Sequence, residues 1–181
     1  MNKRQKRNIA TLANQYGRQV FSTAYRILGD SHHAEDVVQD VYMKLFKKAP
    51  KAFDKVKNWP AYLTTMAAST SLDLLRKKCR LSENSISDIN LSTSENTDAD
   101  LPEKQVSLQQ DLHQLRKALT HVTARESEVF VLRFVEEFTY QEIADQLGIT
   151  VSNVGIIVNR TRQKLAELIV NQQHSGDKHE I

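Results

Sequence analysis

The segment LSENSISDINLSTSENTDADLPE, residues 81–103, constrains the fold more than any other part of the chain. It has six acidic residues and no Lys or Arg, and Ser, Thr and Asn make up most of the rest. Such a segment buries too little apolar surface to offset the entropy lost on ordering. It predicts a flexible, solvated linker over residues 82–106 between a domain at 1–81 and another at 107–170, with a frayed polar tail over 171–181.

Composition limits the class of protein. The chain has 181 residues, 40% of them hydrophobic, which suits two small globular domains. The whole chain carries a net charge of +3, so everything outside the acidic segment carries +9. Cys79 is the one cysteine, which excludes an intrachain disulfide or a multi-cysteine metal site. No apolar run approaches the roughly 18 residues of a membrane span, so we expect a cytoplasmic protein without membrane insertion.

The N-terminal part has the pattern of amphipathic helices. Apolar residues recur at steps of three and four from Ile9 to Ile27, which predicts a helix that ends at Gly29, with Asp30 or Ser31 capping the next. In HAEDVVQDVYMKL, residues 33–45, the helical period places an apolar set on one side: Val37, Val38, Val41, Tyr42 and Leu45. The opposite side carries Asp36, Gln39, Asp40 and Met43.

This outward set has two interpretations. Acidic residues in a first helical turn favour the helix dipole, which accounts for Glu35 and Asp36 but not for Asp40 or the exposed Met43. A face of carboxylates, an amide and a thioether is typical either of a docking site for a basic partner helix or of a solvated helix surface.

A third helix is expected to begin near Trp59 and Pro60. Its apolar stripe comprises Leu63, Met66, Ala67 and Leu74, widened by Leu72 and Leu75. The middle, TTMAASTS, has five hydroxyl residues between an aromatic start and the basic end RKKCR. These features suit contact with unstacked bases and phosphates. They are equally consistent with aromatic side chains that pack in the core at the start of a helix and with basic side chains that stabilise the negative end of the helix dipole.

The C-terminal part has the motifs of a helix-turn-helix. A leucine repeat (Leu108, Leu112, Leu115, Leu119) with Val122 predicts one helix face, and TARE (Thr123–Glu126) and TYQE (Thr139–Glu142) are capping boxes that open two more helices. In IADQLGITVSNVGIIVNRTRQKLAELI, a small residue, a turn glycine and a branched residue occupy the expected positions: Ala144, Gly148 and Val154.

The second helix of that motif would enter the major groove of DNA. Its period turns Val154, Ile157, Val158, Thr161, Leu165 and Leu168 inward. Ser152, Asn153, Ile156, Asn159, Arg160 and Gln163 face outward, where polar side chains suit base edges, and Arg160, Arg162 and Lys164 suit phosphates. Ile156 on this face suits a thymine methyl or is an ordinary exposed apolar residue.

These motifs together resemble the bacterial RNA polymerase sigma factors of the extracytoplasmic-function type, which keep only conserved regions two and four. YRILGDSHHAEDVVQDVYMKLF and AYLTTMAASTSLDLLRKK resemble region two, and LTHVTARESEVFVLRFVEEFTYQEIADQLGITVSNVGIIVNRTRQKL resembles region four. The resemblance implies an all-α fold of two small helical domains, a region-two bundle and a region-four helix-turn-helix, joined by the linker. It implies no cofactor, no metal and no catalysis.

The resemblance also implies partners and roles. Asp36, Gln39, Asp40 and Met43 would contact the clamp helices of the largest catalytic subunit of core RNA polymerase, and region four would touch the flap. The minus-ten element of the promoter would be melted and held by Lys57, Asn58, Trp59, Tyr62, Thr65, Ser69, Arg76 and Lys77. The minus-thirty-five element would be bound by Thr139, Ser152, Asn153, Ile156, Asn159, Arg160, Arg162 and Lys164. An anti-sigma factor that wedges between the domains is a further implied partner.

The chain departs from the family pattern at two surfaces. Tyr62 and Ser69 stand where Trp and Asn are usual, which leaves the base preference at the minus-ten element open. Asn153, Gly155 and Ile156 stand where Thr, Lys and Ser are common, and a mid-helix Gly costs about 1 kcal/mol relative to Ala. These departures predict an unusual minus-thirty-five sequence or weaker reliance on it.

The sequence also permits comparison with a stand-alone regulator, a metal-binding protein and an enzyme. A stand-alone transcription regulator with the same DNA-binding end would bind duplex operators unaided, whereas a sigma factor requires core polymerase. A metal site at His32, His33, Glu35 and Asp36 is disfavoured, because adjacent histidines diverge on a helix. An enzyme is disfavoured because the sequence has no Gly-rich phosphate loop or nucleophile elbow.

Overall fold

The computed structural model describes residues 3–49, 53–84 and 103–176, and every regular element in these ranges is a helix. The helices are α1 (Lys3–Leu28), α2 (Ser31–Lys47), α3 (Trp59–Asn84), α4 (Glu103–His121), α5 (Ala124–Phe134), α6 (Tyr140–Leu147) and α7 (Val151–Gly176). The all-α class is therefore confirmed. We call α1–α3 the N-terminal unit and α4–α7 the C-terminal unit.

Helix extends into the predicted linker and into the predicted tail at the described residues. α3 continues to Asn84 and α4 begins at Glu103, so helix occupies both ends of the predicted linker. α7 runs to Gly176, so the first six residues of the segment predicted to be frayed are helical. The remainder of these two predictions, residues 85–102 and 177–181, lies outside the described residues.

The turn between α1 and α2 forms as its sequence predicts. Gly29 has a left-handed backbone with φ +71°, and its N–H donates to the Tyr25 carbonyl at 2.7 Å, which ends α1. Asp30 is the N-cap of α2, since its Oδ1 accepts a hydrogen bond from the His33 N–H at 2.8 Å. The two helices consequently reverse direction over two residues and pack against each other.

α3 has two apolar faces, where the sequence predicted one stripe. Leu63 and Ala67 are buried in a core shared with α1 and α2, and Met66 and Leu74 pack against it. Ala68, Leu72 and Leu75 are buried in a second core, shared mainly with α4–α7. At about 100° per residue, Leu72 lies about 180° around the helix from Leu63, so the two sets cannot face one core. The prediction of one apolar stripe that includes Leu72 and Leu75 was wrong. α3 instead lies between two cores and contributes one apolar face to each.

The two units meet along α1 as well. Thr23 Oγ1 donates to Glu136 Oε2 at 2.9 Å, and Arg26 Nη2 donates to the same oxygen at 3.1 Å. Arg116 Nε of α4 donates to the Ile27 carbonyl at 2.8 Å, near the end of α1. The polar contacts and the second core hold the C-terminal unit directly against the N-terminal unit.

The leucine repeat of α4 is only half buried by this packing. Leu119 and Val122 are in the second core and Leu115 packs partly against it. Leu108 and Leu112 are exposed. The first turns of α4 therefore project beyond the core, and only the second half of the predicted helix face is buried.

Candidate polymerase- and promoter-binding surfaces

The outward face of α2 forms as predicted. Val37, Val41 and Leu45 are buried, and the opposite side is exposed at all four expected positions: Asp36, Gln39, Asp40 and Met43. Met43 is 53% exposed, so one apolar side chain lies among the polar residues of this face. We call these four residues the acidic face.

The helix dipole explains less of this face than the sequence suggested. α2 begins at Ser31, and its first turn contains no acidic residue. Glu35 and Asp36 both lie beyond that turn, where the dipole effect has fallen off. The expectation that the dipole accounts for them was wrong, because α2 begins at Ser31 and both residues therefore lie after its first turn. The acidic face thus has no local role in starting α2.

The start of α3 carries an aromatic cluster. The Trp59 ring lies 4.3 Å from Phe53 and 5.8 Å from Tyr62 between centroids, the latter edge to face. Asn58 Oδ1 accepts a hydrogen bond from the Ala61 N–H at 3.1 Å and so caps the helix. Trp59 and Tyr62 are half-buried. Each ring is therefore partly packed and partly exposed, which is consistent with either interpretation.

Lys48 is a neighbour of this cluster that the sequence did not single out. Its Nζ donates to the Tyr62 hydroxyl and lies 4.6 Å from the centroid of the same ring. The contact orients the ring and places a cation over it. The exposed Lys57 lies just before the helix. No local pattern pairs residue 48 with residue 62, although KKAPK is visibly basic.

Most of the hydroxyl residues in the middle of α3 are buried. Thr64, Thr70 and Ser71 are buried, and Thr64 and Thr70 accept hydrogen bonds from the side chains of Gln19 and Lys44. Only Thr65 and Ser69 are half-exposed, and their hydroxyls donate to backbone carbonyls one turn earlier. The sequence left open whether this row contacts DNA. Three of its five hydroxyl residues are buried, because two apolar faces leave α3 only a narrow exposed strip.

The basic end of α3 splits into two environments. Lys77 is exposed. Arg76 donates from Nη2 to Ser127 Oγ in the C-terminal unit and lies 3.6 Å from Asp73. The guanidinium of Arg76 is thus engaged between the two units.

The helix-turn-helix of α6 and α7 has the expected local geometry. Thr139 caps α6 in a full capping box with Glu142, and its Oγ1 lies 2.8 Å from Glu142 Oε2. Gly148 has φ +64° and ends α6 in the left-handed conformation. Tyr140 packs beneath the turn, against the second core.

α7 presents the predicted recognition face. Val154, Ile157, Val158, Thr161 and Leu165 are buried, and Leu168 packs partly against the core. The exposed residues are Ser152, Asn153, Ile156, Asn159, Arg160, Arg162, Gln163 and Lys164. Ile156 is the most exposed large apolar side chain among the described residues, at 62%. The inward and outward sets agree with the helical period at every position.

A buried carboxylate lies beneath the recognition helix. Glu126 of α5 is 1% exposed, and its Oε1 lies 2.9 Å from Arg160 Nε and 2.7 Å from Lys164 Nζ. Its Oε2 accepts hydrogen bonds at 3.0 Å from the N–H and the hydroxyl of Thr123, which completes the predicted capping box. Burial alone would raise the pKa of Glu126, but the hydrogen bonds from Lys164 and Thr123 and the charge of Lys164 hold it at about 2. The sequence identified the cap but not the ion pairs.

Two other properties of the described residues bear on function. No group of three or more His, Cys, Asp or Glu side chains in them is arranged to hold a metal ion. His33, one residue of the metal site considered above, pairs through Nδ1 with Asp30 Oδ1 at 2.7 Å. None of the helices within the described ranges is both long enough and apolar enough to cross a membrane.

Comparison with known proteins gives the same division of the chain. Residues 12–81 match the family model Sigma-70 region 2, and residues 112–165 match Sigma-70, region 4. The chain is 24% identical over 164 residues to the ECF RNA polymerase sigma factor SigW of Bacillus subtilis, covering 86% of each protein. It is 26% identical over 160 residues to the RNA polymerase sigma factor YlaC of the same organism, covering 87% of this chain and 90% of YlaC.

A solved structure shares the fold. CnrH, determined in complex with the cytosolic domain of CnrY, is similar with a TM-score of 0.52 at 20% identity, over 92% of this chain and 90% of CnrH. The two matched regions fall on the two units described above. α2 and most of α3 lie in the first matched region, and the helix-turn-helix and its recognition face lie in the second.

Proposed function

The chain belongs to the sigma-70 family, in its extracytoplasmic-function group, and from this premise we propose that it binds core RNA polymerase and directs promoter recognition, DNA melting and transcription initiation. The observation that carries the proposal is the division of the surface. An acidic face on α2 and a basic recognition face on α7 occur in one chain, on opposite units. The first suits a basic protein partner, and the second suits DNA.

Binding to core polymerase is assigned to the acidic face. Asp36 and Asp40 supply negative charge, Gln39 an amide and Met43 an adaptable apolar contact, which together suit the clamp helices of the largest subunit. α2 packs through its other side into the N-terminal core, so the face is held on a rigid element. The C-terminal unit would touch the flap of the same enzyme.

Capture of the minus-ten element is assigned to the start and exposed strip of α3. Trp59 and Tyr62 would offer their half-exposed rings to an unstacked base, with Lys57, Asn58, Thr65, Ser69 and Lys77 along the same surface. Stacking of a base on an aromatic ring is worth about 1–3 kcal/mol, and this energy is gained only once the duplex has opened. The protein therefore drives melting by binding, and no covalent step is needed.

Recognition of the minus-thirty-five element is assigned to α7. Its N-terminal half would place Ser152, Asn153, Ile156 and Asn159 at base edges, with Arg160, Arg162 and Lys164 on phosphates. Thr139, at the N-terminus of α6, would contact the backbone of the DNA.

The two units must separate for this function. The centres of the minus-ten and minus-thirty-five elements are about 25 base pairs apart, or about 85 Å at 3.4 Å per pair. The longest described helices, α1, α3 and α7, are each only about 39 Å long at 1.5 Å per residue, so units packed against each other along α3 reach less than that span. The contacts of Glu136 with Thr23 and Arg26, and of Arg76 with Ser127, would therefore break when both elements are bound.

The regulatory partner we propose is an anti-sigma factor that inserts between the two units. The protein would act in the cytoplasm.

Charge reversal on the acidic face tests the assignment of polymerase binding. Asp40→Arg should abolish capture of core polymerase by the tagged full-length chain while its circular dichroism stays that of the parent. Asp54→Arg makes the same change of charge at an exposed residue of the N-terminal unit outside α2, and should retain capture. Equal capture by the parent and Asp40→Arg would reject the acidic face as the polymerase contact.

A further inference from the structure

Glu126 shares its two carboxylate oxygens between two different tasks. Oε2 accepts from the N–H and hydroxyl of Thr123 and so starts α5. Oε1 accepts from Lys164 Nζ at 2.7 Å and lies 2.9 Å from Arg160 Nε. Thr123 and Glu126 satisfy each other as a capping box without either cation. The ion pairs are therefore additional to what the cap requires.

The two cations belong to the recognition helix and lie one turn apart. Arg160 and Lys164 are four residues apart, so both project from the same side of α7. Their side chains are 54% and 46% exposed, while the Glu126 side chain between them is 1% exposed. Each cation therefore contacts the buried carboxylate while about half of its side chain remains exposed to solvent.

From this geometry we infer that Glu126 is a positioning residue for promoter DNA: it fixes Arg160 and Lys164 in the places from which they bind backbone phosphates. A cation on a free side chain neutralises phosphates in any register, whereas one held by a buried anion meets them only where the helix is correctly seated. Glu126 itself does not touch DNA. The inference rests on the proposed function, because it needs α7 to be the DNA-binding helix.

Glu126→Gln tests the inference with little change of shape. The amide oxygen can still accept from Thr123, but the amide N–H2 would then face Arg160 and Lys164, which are also donors. Both cations should be released. Glu128→Gln is the matched control, because it makes the same change of charge on the same helix while its ion-pair partner, Arg125 at 3.4 Å, is outside α7.

The measurement uses holoenzyme formed from core polymerase and the full chain. Its promoter is one selected from a random duplex library by the parent holoenzyme, and a second duplex has its minus-thirty-five element scrambled. In Glu126→Gln we expect the preference for the selected element to fall about tenfold, the effect of about one mismatched base pair. Binding to the scrambled duplex should become more salt-dependent, by up to about one unit of the log–log slope, since a competing carboxylate is gone.

Two further variants separate positioning from a general structural effect. In a chain that already carries Arg160→Ala and Lys164→Ala, Glu126→Gln should cause no further loss of preference. Glu128→Gln should behave as the parent does.

The inference is overturned if Glu126→Gln keeps the preference and salt slope of the parent, if Glu128→Gln matches it, or if its loss persists in full without the two cations. A parent holoenzyme that selects no promoter would overturn the proposed function, and the inference with it. A parent that selects a promoter while Glu126→Gln is unchanged would overturn the inference alone.

Discussion

Thr23 in the first helix donates a hydrogen bond to Glu136 just after the fifth, with 2.9 Å between Thr23 Oγ1 and Glu136 Oε2. Arg26, one turn later in α1, reaches the same oxygen at 3.1 Å. The contact joins the N-terminal unit to the segment that leads into the helix-turn-helix. It places a nearly buried carboxylate at the boundary that, on the proposed function, has to open on the promoter.

The pH dependence of stability should reveal this carboxylate. Burial raises the pKa of Glu136, against the opposing effects of the Thr23 hydrogen bond and the Arg26 charge. An acid whose pKa is raised by folding binds its proton more tightly in the folded state, so its contribution to stability improves as pH falls. The free energy of unfolding of Glu136→Gln, compared with that of the parent, should therefore be highest at neutral pH and should fall progressively as the solution is acidified.

Urea unfolding of the full chains at pH 7 and at pH 5 measures the effect. The free-energy difference between Glu136→Gln and the parent should move in favour of the parent at the lower pH. A difference that is constant across this interval, or that moves the other way, would contradict the assignment of the raised pKa to Glu136.

The contribution of Glu126 to stability should change with pH in the opposite direction. Its pKa is held at about 2 in the folded chain, below its ordinary value of 4.5. The stability it contributes is present above the unfolded pKa and is lost as pH falls through the interval from about 4.5 to about 2. Glu126→Gln should lower the free energy of unfolding at pH 7 by on the order of 1 kcal/mol, since solvent screens its half-exposed partners.

Glu142 provides the comparison for that prediction. It completes the same kind of capping box, with Thr139, and its pKa is lowered by that residue. None of the ion pairs described for the chain involves it. Thermal unfolding at pH 7 should rank Glu126→Gln below Glu142→Gln. If the two variants lose equal stability, the cap rather than the ion pairs accounts for the loss.

Two glycines of the helix-turn-helix should respond to alanine in opposite ways. Gly148 has φ +64° with open space around it, so Gly148→Ala introduces backbone strain of about 1 kcal/mol and no clash. Gly155 lies inside α7, and an added Cβ would sit 3.6 Å from Tyr140 Cε2, an ordinary contact. Gly155→Ala should stabilise the chain by about 0.5–1 kcal/mol through helix propensity. Denaturant unfolding checks both signs, and a neutral Gly148→Ala would show that the turn relaxes.

Tyr62 should act through its ring more than its hydroxyl. Tyr62→Ala removes the stacking surface and should lower the equilibrium ratio of open to closed promoter complex at least about fivefold, since a stacked base is worth about 1–3 kcal/mol. Tyr62→Phe keeps the ring but loses the contact with Lys48, and should cause a smaller loss. Permanganate reactivity of unpaired thymines measures melting directly. Unchanged reactivity in Tyr62→Ala, with polymerase capture intact, would remove Tyr62 from the melting surface.

Much of this fold follows from local sequence. The helical period identifies which sides of α2 and α7 are buried, because it depends only on neighbours three and four residues away. The caps at Asp30, Thr123 and Thr139 and the left-handed Gly148 likewise depend on a few adjacent residues. These features were predicted correctly and position both candidate surfaces.

The remaining features depend on contacts between distant parts of the chain. Periodicity shows that α3 is apolar at Leu63 and at Leu72, but not that different units cover the two faces. The pairing of Glu126 with Lys164 spans 38 residues, and that of Thr23 with Glu136 spans 113. Lys48 beside Tyr62 is the same kind of contact between neighbouring helices. Such pairs arise from packing, which no local pattern specifies.

Run-off transcription with purified core polymerase and the full-length chain, on duplex templates selected from a random library, tests the central claim most directly. The account predicts that core polymerase alone starts at no defined position and that adding the chain produces a defined start downstream of the selected sequence. Specific binding of the chain to duplex DNA without polymerase, together with no defined start in its presence, would contradict the account and favour a stand-alone regulator.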